Sequence, residues 1–324
     1  RMRTQSFFSS SIIFVLTFWT IIGCQNASNK ELVSHKDNIF PTNENAQDIT
    51  KDFPCIAESW QIIGDNIITT NATPDSVFSI LSCEDLTVKE VFGKKGHSGN
   101  EFIAPLVFCG KEKEILIIDN IDKKIYNYSN GVTSQIGTST IKDALNELRS
   151  ISYPIVAYSV ITPQKQNLKI VNIATGKDVD SIVFKDKEQK EKASLFDFAW
   201  NYNNGKIVIA LMHSDLFMVC DINNNGKLTQ IHKYQTDGVF SDNKIYYSDV
   251  ACGKEIYLLS QKNVDLTNLS GHSSVEIYDY SGKAIKNIDL DFIADKMLLD
   301  CSGKKLLFTS TNDEYLHLIT IHHS

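Results

Sequence analysis

From residue 49 onward, short runs of β-branched and aromatic residues recur, separated by polar turns of Asn, Asp, Gly and Lys. This pattern predicts many short strands. Two kinds of turn alternate. One launches a strongly apolar strand, as in "GDNIITT" at 64, "KEKEILIID" at 111, "NNGKIVIAL" at 203, "SDNKIYYSD" at 241 and "CSGKKLLFTS" at 301. The other ends an apolar strand and releases a more polar one, as in "IYNYSNGVTSQI" at 125, "IVNIATGKDVDSI" at 170, "MVCDINNNGKLTQI" at 218 and "VEIYDYSGKAIKNI" at 275.

The glycines of the second kind, Gly131, Gly176, Gly226 and Gly282, are spaced 45, 50 and 56 residues apart. A period of roughly 40 to 50 residues with four strands per unit describes the blade of a β-propeller. Blades are expected at about 56–93, 100–137, 150–184, 194–234, 237–291 and 292–322. The last lacks an outer strand, and "ITKDFPCIAES" (49–59) is a strand without a blade, so pairing the two would close the ring. The fold class is therefore all-β, a six-bladed β-propeller over 49–324; a two-sheet sandwich would explain neither the period nor the orphan strand. One short helical insertion is expected near 139–150, where Ile141, Leu145 and Leu148 follow a Ser/Thr start at helical spacing.

The N-terminal residues follow a different pattern. Arg1 and Arg3 precede the uncharged stretch "FFSSSIIFVLTFWTIIG" and then Cys24. A positive start, an apolar core and small residues at its end describe a secretory signal over residues 1–23. Its uninterrupted apolar length is about 16 residues, short of the roughly 20 that a spanning helix needs. Ile21-Ile22-Gly23-Cys24 resembles the bacterial lipobox. That resemblance implies cleavage before Cys24, diacylglycerol on its thiol and an acylated amino group, which together anchor a chain stably to a membrane. Gln25 in place of aspartate implies, by the enterobacterial sorting rule, an exported outer-membrane lipoprotein, facing either the periplasm or the cell surface. Residues 24–48, rich in Asn, Ser and Lys, are expected to form a flexible tether.

Without residues 1–23 the chain has 30 basic and 39 acidic side chains, a net charge of −9. That balance gives no footprint for nucleic acid. Cys55, Cys83, Cys109, Cys220, Cys252 and Cys301 show no CxxC spacing, which argues against zinc. Six cysteines allow 15 pairings; most lie in apolar runs, so mostly unpaired thiols are expected.

"VFGKKGHSGNEF" (91–102) places three glycines around two lysines, as a phosphate loop does. Such a loop must open a helix, and "NEFIAPLVFCG" leads into a strand instead. The segment resembles the G-x-x-G-x-G-P-x-E-F crossing of six-bladed propeller lipoproteins of Bacteroidota, the TolB-like or NHL-like propellers. Gly93, Gly96, Gly99, Glu101 and Phe102 match; Asn100 stands where proline is usual and Ser98 where glycine is common. The glycines are read as permitting a tight crossover, with Phe102 plugging between blades. A functional reading places Lys94, Lys95 and His97 at the channel mouth, facing an anionic ligand. Arg149, the only arginine after the signal, is a further ligand-binding candidate.

No catalytic residue is assigned. HExxH and GxSxG are absent. "DINNNGKLTQIH" begins like a calcium loop, but His232 stands where a bidentate glutamate is required, and a hairpin is expected. Resemblance to six-bladed lactonases would imply one divalent ion held by acidic and amide groups from different blades; Asp197, Asp249 and Asp300 are inner-strand candidates, equally suited to stabilising blades. The expected function is therefore non-enzymatic: a lipid-anchored envelope protein that binds a small molecule, glycan or protein partner through one face or the central channel, with no cofactor. The alternatives are a metal-dependent hydrolase or lyase of lactonase type and a purely structural envelope partner.

Overall fold

The computed structural model describes residues 30–321 apart from 37–38, 46–48, 53–56, 72, 74, 99–100, 162–165, 185–194, 202, 242, 266 and 311–314. Cys24 and the expected signal at 1–23 lie outside the described residues, as does Cys55. Six antiparallel sheets follow one another along the chain. Blades 1 to 5 span 57–92, 105–138, 146–183, 196–240 and 247–289, each built in chain order from its innermost strand outward. Blade 6 takes three strands from 296–320 and its fourth, Ile49–Asp52, from the other end of the chain.

The hydrophobic gradient in the sequence has a direct cause. Middle strands are covered on both faces by neighbouring blades, so they are buried along their length and mostly apolar, as in "FSILS" at 78–82 and "KIVIAL" at 206–211. Outer strands such as Val132–Thr138 are largely exposed and mixed in character. Six apolar clusters fill the six junctions between adjacent blades. At the last junction Trp60, Ile67 and Leu81 of blade 1 pack on Leu307, Leu316 and Leu318 of blade 6, which joins the ends of the ring. A disulfide between Cys83 and Cys301 spans the same junction. Cys109, Cys220 and Cys252 are free thiols; burial pushes the Cys252 thiol up to about 12.

Two expectations are corrected. No α-helix occurs among the described residues, where the only helical turn is a 3-10 turn at Lys111–Lys113. The stretch expected to be helical enters the strand Asn146–Ser152, the inner strand of blade 3. Ile141, Leu145 and Leu148 are buried as their spacing suggested, but in the junction between blades 2 and 3. The backbone of Leu145 is satisfied by one side chain: Asn120 accepts its N–H at 2.9 Å and donates to its carbonyl at 2.7 Å. With those groups capped, helical hydrogen bonds are not needed.

The segment expected to be a tether is also partly strand. Lys30–His35 adds in parallel to the outer strand of blade 4, and Asn43–Asn45 adds in parallel to the outer strand of blade 5. Between them Lys36 is buried among Asp215, Glu276, Tyr247, Tyr278 and Phe217. Backbone pairing and one anchored lysine hold a sequence that its composition describes as solvated.

The crossing segment serves the architecture. Phe102 is fully buried and meets Phe78 and Tyr126 edge-on, each at 5.2 Å between ring centres, sealing blade 1 against blade 2. Gly93 has φ +77°, and a Cβ there would stand 3.0 Å from the Phe78 ring. The Gly96 N–H donates to the Phe102 carbonyl, and the Ser98 N–H to Glu101, so these donors are consumed within the turn.

Candidate functional site

Successive side chains of an inner strand point to opposite faces of its blade. In "FDFAW" of blade 4 and "YSDVA" of blade 5, Asp197 and Asp249 share the face turned toward the next blade with Ala199 and Ala251, and both border the central cavity. Blade 3 contributes Glu147 and Arg149, and blade 6 contributes Lys296. These five residues line a central cavity of about 590 Å³, with Trp60 and Trp200 also on its wall. Gln61 braces the opposite side: its amide donates to the carbonyls of Val107 (2.6 Å) and Leu148 (2.7 Å), tying the inner strands of blades 1, 2 and 3.

Among the described residues, the lining of the cavity reaches the face at which inner strands end. Its rim is formed by turns that follow inner strands, including Asn203, Gly253-Lys254 and Ser302-Gly303-Lys304. Among the described residues, none from the crossings that lead into inner strands lines it.

Asp249 is held rigidly: Oδ1 accepts the Val250 N–H at 2.8 Å and Oδ2 accepts the Met297 N–H at 2.7 Å. Asp197 Oδ1 accepts the Phe198 N–H at 2.6 Å. The two carboxyl groups are close enough for the charge of Asp249 to act on Asp197. Burial holds Asp197 well above the usual carboxylate range, and the charges of Glu147 and Asp249 add to this. Burial raises Asp249 too, opposed by Lys296. Each buried carboxyl thus makes ionisation of the other less favourable.

Lys296 complements them. Its ammonium lies 3.7 Å from Asp197 Oδ2 and 3.9 Å from Glu147 Oε1, and the Asp197 charge holds it above the usual lysine range against the effect of burial. Glu147 is paired at 2.9 Å with Arg149. The cavity thus offers carboxyl groups, two cations and an aromatic wall. These groups suit a polar small molecule with several hydrogen-bonding groups.

A lactonase-type metal does not fit this set. Lys296 and Arg149 already supply positive charge beside the carboxylates, and backbone N–H groups take both Asp249 oxygens. No three His, Cys, Asp or Glu side chains among the described residues are grouped to hold an ion. Asp300 caps a turn, accepting from the N–H groups of Lys304 and Lys305, both at 2.9 Å. In "DINNNGK", Asn223 Oδ1 accepts the N–H groups of Asn225 and Lys227 within a hairpin turn.

Of the ligand-binding candidates from the sequence, Arg149 lies on the cavity wall. Lys94, Lys95 and His97 lie on the crossing from blade 1 to blade 2, away from it. Lys95 lines a smaller cavity of about 280 Å³ with Thr70, Asn71 and Pro105, at the opposite face. Glu147 and Lys296 were missed in the sequence, because the groups that converge come from four blades and are separated by up to 149 residues.

No family model and no curated protein matches this sequence. Solved structures similar to it include a member of the DUF4221 family from Bacteroides vulgatus, with TM-score 0.54, 10% identity, and 85% of this chain and 96% of that one covered. A calcium-binding protein, regucalcin, from Agrobacterium tumefaciens has TM-score 0.58 at 10% identity, covering 86% of this chain and 95% of that one. A gluconolactonase from Xanthomonas campestris has TM-score 0.51 at 10% identity, covering 86% and 90%. At such identities these likenesses establish the fold alone.

Proposed function

We propose that this is a non-enzymatic, lipid-anchored envelope protein of the TolB-like kind that binds a small polar molecule in the central cavity. The observation that carries the reading is the convergence of Glu147, Arg149, Asp197, Asp249 and Lys296 from blades 3 to 6 around one open volume. Burying so many ionisable groups is costly for a part that only needs to fold. An apolar plug would close the ring at lower cost.

Export is supported by the Cys83–Cys301 disulfide, a bond that persists in oxidising compartments. Anchoring rests on the lipobox-like Ile21-Ile22-Gly23-Cys24. Lactone hydrolysis is the less favoured reading, because Lys296 and Arg149 already supply positive charge beside the carboxylates.

Thermal-shift measurements on the mature chain test the binding reading, using a panel of small carboxylates, phosphates, sugars and amines. At least one compound class should raise the melting temperature and change Trp60 and Trp200 fluorescence, and Lys296→Gln should abolish both responses. A panel with no such compound, or binding indifferent to Lys296→Gln, would refute it. Hydrolysis of lactones on addition of calcium, zinc or manganese would establish the enzyme reading instead.

A further inference from the structure

We infer that the face carrying the cavity mouth is the face this protein turns toward the lipid bilayer. The inference rests on the proposed anchor at Cys24, and its geometry comes from strand register. Lys30 pairs with Gln230, Gln230 with Asp221, Asp221 with Lys206, and Lys206 with Asn201. These five residues therefore lie at one level across blade 4. Asn201 ends the inner strand, two residues before Asn203 on the cavity rim. The chain thus joins the ring at the level of the mouth, and Lys30–His35 runs from there toward the opposite face.

The connection to the anchor is short. Five residues, 25–29, separate Cys24 from Lys30. Six Cα-to-Cα steps of at most about 3.6 Å cap the reach at roughly 22 Å. The strand Lys30–His35 itself climbs roughly 17 Å of blade height at about 3.3 Å per residue. To lay the opposite face on the bilayer, the connection would have to retrace that height and still reach the acyl chains, which leaves almost nothing of its length. With the mouth face down, the whole reach is available for the gap between protein and lipid.

The two faces carry their own reporters. Lys254 and Lys304 are exposed on the mouth rim. Lys94 and Lys95 are exposed on the other face, where the register places Phe92, Phe78 and Thr70 at the level at which inner strands begin. A bilayer against the mouth shields the first pair and leaves the second open.

The test is lysine acylation by a membrane-impermeant reagent, mapped by mass spectrometry on the full lipidated protein in phosphatidylcholine vesicles and in detergent. Lys254 and Lys304 should lose reactivity several-fold in vesicles, and Lys94 and Lys95 should not. Inserting about 20 Gly/Ser residues between 28 and 29 should restore the detergent pattern, because a flexible linker of that length reaches past the blade. Flotation with the vesicles separates the two premises. Protein that floats but is shielded uniformly, or at Lys94 and Lys95, overturns the orientation alone. Protein that does not float, or a Cys24→Ser variant that floats equally well, overturns the anchor and this inference with it.

Discussion

At the residue scale, the central acids set the pH response. Asp197 and Asp249 are both raised above the ordinary carboxylate range, with burial the main cause. Such groups stabilise the fold when protonated. Their contribution is fully present below the unfolded value of about 3.9 and is lost as pH rises through the folded value. Asp249→Asn keeps an acceptor for the Met297 N–H, loses the one for the Val250 N–H and removes one titrating group. The stability of this variant relative to the wild type should rise as pH increases from 4 to 8. Chemical denaturation across that range checks the sign, and a variant that loses stability most at high pH would contradict it. The acids themselves were legible as candidates in "FDFAW" and "YSDVA"; their pairing was not, because 52 residues separate them and both faces of a strand look alike in sequence.

At the element scale, the N-terminal segment carries more of the structure than its composition suggests. Parallel strand addition uses backbone groups, which any residue supplies, so "KELVSH" pairs as well as a β-rich sequence would. Lys36 fixes it. Its ammonium is shared by Asp215, Glu276 and the Tyr247 hydroxyl, with Lys262 as a second cation 2.9 Å from Asp215 and 2.5 Å from Glu276. Burial pulls the Lys36 ammonium below the usual lysine range, opposed by the charges of Glu276 and Asp215. Lys36→Met leaves two acids with one cation, and breaking a buried pair costs about 3 kcal/mol or more. That loss should appear in denaturant unfolding, together with faster amide exchange across residues 30–35. Unchanged exchange there would mean that backbone pairing alone holds the strand. The error over 139–150 belongs at this scale too. Ile141, Leu145 and Leu148 fit a helix face equally well as a path between two blades, and only the Asn120 amide distinguishes them.

At the scale of the whole molecule, the ring was the most legible feature, because every turn repeats one physical problem: each middle strand must be covered on both faces and each outer strand on one. The closing junction was legible only in part. The last blade lacked a strand, but the Cys83–Cys301 bond is one of 15 possible pairings. That bond closes a loop with a sequence separation of 218 residues, for which chain entropy predicts roughly 5 kcal/mol of stabilisation. Cys301→Ser should lower stability by several kcal/mol and expose the junction lined by Trp60 and Leu307. A change under about 1 kcal/mol would show that apolar packing closes the ring unaided. Because Cys301 also lies on the cavity wall, the same variant should weaken ligand binding.

The central claim, that the charged cavity is a binding site completed by Lys296 and not by a metal, is met most directly by native mass spectrometry. Residues 25–324, purified without chelator, would be measured alone and with the compound that gives the largest thermal shift. The account predicts no stoichiometric divalent ion and one bound molecule per chain, lost in Lys296→Gln. One tightly held calcium, zinc or manganese ion per chain, or a complex that survives Lys296→Gln, would contradict it.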